Sequence, residues 1–100
     1  MTKLEDDILW TQETNPHQFA EPLTSSHVRI NVPALFRKTY GRDAHPIADH
    51  ARLVLFTNRL ADFMNRQAHR WRHRLMTPKH LDQLRGMLTE HAAHLRNEGV

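Results

Sequence analysis

The residues with the greatest chemical potential lie together, in Asn65–Arg74, NRQAHRWRHR. This run holds Arg66, Arg70, Arg72, Arg74, His69, His73 and Trp71, and no acid. Guanidinium groups recognise carboxylates and phosphates, and an arginine over an aromatic ring is a common interface anchor. At about 100° per residue, Arg52, Arg59, Arg66, Arg70 and Arg74 share an arc of about 80° of one helix, and Phe56 and Phe63 fall in the same arc. Three readings fit such a stripe. It is a solvated face with Phe rings under arginine stems, a protein interface, or a set of phosphate contacts. The protein-interface reading assigns binding to Arg59, Phe63, Arg66, Arg70, Trp71 and Arg74.

Other chemistries find less support. His69 and His73 are four apart and His91 and His94 three apart, which are spacings for shared metal ligation. Neither pair has a carboxylate at a neighbouring ligand position, and arginines surround the first, so no metal and no cofactor are expected. There is no cysteine, and the only serines are Ser25 and Ser26. Gly41, Gly86 and Gly99 are isolated, so no phosphate-cradling loop exists. No catalytic residues are assigned, and the chain is read as a non-enzyme.

The elements that must position these residues follow from periodicity. Ile47–Met76 has neither Pro nor Gly, and Leu53, Leu60, Met64, Trp71 and Leu75 recur at helical spacing. Pro46 or Ile47 begins this long helix. Thr77-Pro78 is a restart, with Thr as N-cap and Pro at the first helical position. Leu81, Leu84, Leu88, Ala92 and Leu95 carry the last helix from Pro78 to Asn97, with Gly99 as its stop. The short link makes the two an antiparallel hairpin.

The first half reads differently. Thr2-Lys3-Leu4-Glu5 has capping-box spacing, and Leu4, Ile8 and Leu9 form a stripe, so a short acidic helix is predicted from Lys3 to Glu13. Asn15–Ser26 is a loop pinned by Phe19 and Leu23. Val28, Ile30 and Val32 alternate with Arg29 and Asn31, which is strand periodicity. No second run of this quality exists, so the strand stays at the surface or pairs with a second molecule. Pro33–Tyr40 is a short helix, with Gly41 as a left-handed cap.

Strand, short helix, turn and longer helix over Val28–Leu60 resembles the order of the ribbon-helix-helix DNA-binding fold. That resemblance implies strands paired between two chains, with Arg29 and Asn31 facing the bases. It covers about a third of the chain, by order of elements rather than by signature residues.

The expected fold is mostly α. It comprises a short N-terminal helix, one extended segment or short strand, a short helix and a long antiparallel helical hairpin, as a homodimer. One domain is expected over 1–100, in three parts: 1–26, 27–45 and 46–100. Residues 1–50 carry five Lys/Arg and seven Asp/Glu, net −2, while residues 51–100 carry nine and four, net +5. The acidic opening is unlike a signal peptide and the longest apolar run, Leu53–Phe56, cannot span a bilayer, so a cytoplasmic protein is expected. The resulting expectation is a small regulator acting by protein binding, for example an inhibitor or anti-activator of a transcription regulator. The alternative is a DNA-binding repressor or antitoxin-like protein.

Overall fold

Local signals set most helix ends. The computed structural model describes residues 7–10, 28–71 and 77–100. Helix α1 spans Val32–Tyr40. Asn31 caps it, its Oδ1 accepting the Ala34 N–H at 3.3 Å, and Pro33 sits in the first turn. Gly41 ends it at φ 74°, where it donates its N–H to the Arg37 carbonyl at 2.8 Å. Helix α3 spans Pro78–Asn97, with the Thr77 hydroxyl accepting the His80 N–H at 3.3 Å. Glu98 is its C-cap, and Gly99 follows at φ 92°.

Helix α2 spans His50–Trp71, starting three residues later than Ile47. The cause lies in the preceding turn. His45 Nδ1 accepts the N–H groups of Ile47 and Ala48 at 3.1 and 3.0 Å, which holds this stretch as a turn. Buried Asp49 accepts two hydrogen bonds from Arg42, at 2.6 and 3.0 Å, and one from the His45 N–H at 2.7 Å. Its carbonyl then accepts the Leu53 N–H at 2.7 Å, so the helix grows from a locked turn. The expected far end at Met76 lies outside the described residues.

The N-terminal expectation is corrected where it can be seen. Leu9–Trp10 is a strand, β1, antiparallel to β2, Arg29–Ile30. Leu9 faces Ile30 and Trp10 faces Arg29 across the ladder, and the Asn31 N–H extends it to the Ile8 carbonyl at 2.8 Å. The apolar pair Ile8 and Leu9 is buried, and the β2 backbone finds its partner within the chain rather than in a second molecule. Asp7, expected in a helical first turn, accepts the Leu9 N–H at 3.0 Å and binds Arg85 of α3 through two hydrogen bonds of 3.1 Å. The remainder of the expected helix, and the loop with Phe19 and Leu23, lie outside the described residues.

The described part is mostly helical, and its core joins all elements. Leu35 and Phe36 of α1, Phe56 and Leu60 of α2, and Leu81, Leu84, Leu88, Ala92 and Leu95 of α3 pack with Ile8, Leu9 and Val28. Phe36 stacks on Tyr40 at 4.4 Å, and Phe56 meets both rings edge-on at 5.8 and 5.9 Å. The Tyr40 hydroxyl donates to the Val100 carbonyl, and Arg96 donates to the Thr39 carbonyl at 2.9 Å. Thus Phe56, early in α2, lies by the end of α3, while Phe63 stacks on His91 further back along it. The two helices therefore run antiparallel.

The Asp49 carboxyl is held well below the ordinary carboxylate range, chiefly by the Arg42 hydrogen bonds and then by the His45 N–H. A lowered folded-state pKa stabilises the fold above the unfolded value of about 3.9, and that gain is lost as pH falls below it. Asp49→Asn should therefore lower the thermal midpoint at neutral pH, and its gap from the wild type should narrow below about pH 4. Parallel pH profiles for the two proteins would contradict this role.

Candidate protein-binding face

The arginine row of α2 divides by what each residue touches. Arg52 lies 3.7 Å from Asp49 and 5.5 Å from the Tyr40 ring centre, so it belongs to the joint between α1 and α2. Arg59, Arg66 and Arg70 are exposed. Among the described residues, no carboxylate forms a salt bridge with any of these three. They lie one or two turns apart along α2, with exposed Asp62 between Arg59 and Arg66 but in a salt bridge with neither. Arg74 and the side chain of Trp71 lie outside the described residues.

The two phenylalanines of the expected stripe separate. Phe56 is fully buried in the aromatic joint and cannot meet a partner. The stripe borders the core, and an arc of about 80° includes positions on both sides of that border. Phe63 is half-buried, its ring nearly parallel to the His91 imidazole at 4.4 Å. Phe63, Met87, Glu90, His91 and His94 line an open depression of about 320 Å³ between α2 and α3. His94 pairs with Glu98 at 3.0 Å on its far side.

The depression has an apolar floor, Phe63 and Met87, and a carboxylate, Glu90, on its α3 side, while Arg59 and Arg66 lie one turn from Phe63 on α2. It suits an apolar side chain flanked by carboxylates. The α3 contributors carry no sequence signal for this face: the spacing of His91 and His94 suits shared metal ligation, where no metal is expected, and nothing in it points to Phe63. His91 instead stacks on a ring. Among the described residues, no group of three or more His, Cys, Asp or Glu is placed to hold a metal ion.

The residues of the nucleic-acid alternative have other settings. Asn31 spends its side-chain oxygen on the α1 cap. Arg29 is exposed, and its Nη1 donates to the Val28 carbonyl at 3.0 Å. One edge of β2 is taken by β1, a pairing different from the two-chain ribbon that the resemblance implies. No helix among the described residues is long and apolar enough to cross a membrane. Comparison with protein families, curated proteins and solved structures gives no match for this chain.

The electrostatics of the depression are testable through His91. Burial lowers its pKa from the usual 6.5, and the positive charges of Arg66 and His94 lower it further against the pull of Glu98. The unfolded chain thus takes up this proton before the folded one as pH falls. Stability conferred by neutral His91 declines as pH drops through about 6.5, until the folded state is also protonated. In an NMR titration of the imidazole, His91 should titrate below 6.5, and Arg66→Ala should move its midpoint upward. An unmoved midpoint would show that Arg66 does not act on the depression.

Proposed function

We propose that this chain is a non-enzymatic regulatory protein that acts by binding another protein, for example as an inhibitor or anti-activator of a transcription regulator. It works in the cytoplasm and as a homodimer. One observation carries the reading: Arg59 and Arg66, four residues before and three after Phe63 on α2, and Arg70 a turn further on, have no acidic partner among the described residues, and the charge of Arg66 acts on His91 of the Phe63–His91 stack. Charges left unpaired on a surface are available to steer and orient an acidic partner, and the half-buried ring offers the desolvated anchor that gives such contacts their strength. The partner expected is an acidic segment with a projecting apolar side chain.

A DNA-binding repressor or antitoxin-like role is the second reading. It is favoured by the same exposed arginines, which suit phosphates, and by the exposed Arg29. The two readings differ in salt dependence and in the residues they need. Affinity purification from the source organism at near-physiological salt, with nuclease, separates them. A stoichiometric protein companion should survive nuclease, and Phe63→Ala combined with Arg66→Ala should weaken its capture by about thirtyfold or more with helix content unchanged. Retained capture by that variant would defeat the protein-binding reading. Nucleic acid that leaves as salt rises, and that is lost with Arg29→Ala and Arg70→Ala, would establish the second.

A further inference from the structure

Helix α2 carries a second apolar stripe, on the face opposite Arg59, Arg66 and Arg70. His50, Val54, Thr57, Ala61, Met64 and Ala68 are spaced by alternating steps of four and three residues. That is the spacing of a helix–helix seam. The core stripe through Phe56, Leu60, Phe63 and Gln67 lies beside it and meets the rest of the fold, and Met64, where the two adjoin, is half-buried against the core. A helix with two such stripes is built for two neighbours. Here most of the second stripe faces outward: Val54 is 47% exposed, His50, Thr57 and Ala61 are exposed, and Met64 and Ala68 are half-buried. A groove of about 370 Å³ runs beside it, between Leu60 and Met64 of α2 and Val28, Ile30 and Val32. It meets a second hollow, at His50, Leu53 and Val54, through the shared Thr57.

We infer that this face binds a second copy of the chain, with the two α2 helices antiparallel about a two-fold axis. The inference rests on the homodimer part of the proposed function and assigns its surface. Charge selects the occupant. None of the six stripe residues is Asp, Glu, Lys or Arg, and the exposed neighbours Asn58 and Asn65 are neutral. A two-fold interface brings each patch against itself, so a charged patch repels its copy and an uncharged one does not. A charged partner finds nothing to steer it here, whereas the arginine face opposite provides that steering. Arg29, the one charged residue among the described residues that line the groove, turns its Nη1 back to the Val28 carbonyl.

Size supports the same occupant. In an antiparallel pair, residues equidistant from the middle of the seam share a layer. Thr57 then meets Ala61, Val54 meets Met64, and His50 meets Ala68. The central layers hold the smaller side chains and allow close approach, with larger ones on either side.

The 100-residue sequence holds no cysteine, so an introduced thiol reports without background. Sedimentation equilibrium should give a dimer for the wild type. Ala61→Glu, at an exposed helical position, should keep the helix content and weaken the dimer by about a hundredfold, because two carboxylates are brought together in the seam. A mixture of Val54→Cys and Met64→Cys proteins should form a disulfide under mild oxidation. Val54→Cys alone should not, since its two copies lie about 15 Å apart along the seam. A dimer that Ala61→Glu leaves intact would overturn this surface while leaving the homodimer in place. A monomeric wild type would overturn both, and a self-linking Val54→Cys protein would overturn the antiparallel register.

Discussion

Phe36 of α1 and Phe56 of α2 meet edge to face, neither ring is exposed, and Tyr40 closes the group by stacking on Phe36. The hydroxyl of Tyr40 reaches the Val100 carbonyl beyond α3, so one cluster ties all three helices. Losing either phenylalanine would leave a cavity among fixed neighbours, at a cost of about 3–5 kcal/mol, which is a large part of the stability of a chain this size. Two arginines extend the cluster outward. Arg42 lies 5.7 Å from the Phe36 ring centre while binding Asp49, and Arg52 lies 5.5 Å from that of Tyr40. The turn that starts α2 is therefore fixed from both sides.

That joint sets the rotation of α2 and hence what its other faces offer. With Phe56 and Leu60 turned inward, Arg59, Arg66 and Arg70 emerge on one shoulder and Val54 and Ala61 on the other. The antiparallel path of α3 then brings Met87 and His91 under Phe63. Removing the α3 contribution would leave Phe63 as an isolated apolar residue on a basic helix. With it, the ring becomes part of a floor, with Arg59 and Arg66 one turn away on α2.

Features encoded by neighbours in sequence were legible, and those encoded by distant contacts were not. Helices α1 and α3 matched their expected ranges closely because Asn31-Val32-Pro33, Gly41 and Thr77-Pro78 carry their own capping chemistry. Periodicity places the start of α2 three residues early, because Pro46 fits a turn as well as a first helical turn, and the His45 and Asp49 hydrogen bonds select the turn. Ile8-Leu9 suited either a helix edge or a buried strand, and only pairing with Arg29–Ile30 selects the strand. The exposed arginine row could be read from helical spacing alone. The burial of Phe56 and the approach of His91 could not, since both depend on how α1 and α3 sit against α2.

The proposed function places protein recognition on the Arg66 side of α2. Photo-crosslinking in the source organism tests it most directly, with benzoylphenylalanine placed at Arg66 in one strain and at Arg29 in another. A discrete protein adduct is expected from position 66, and none of matching yield from position 29. Adducts confined to position 29, or nucleic acid captured at both positions, would contradict it.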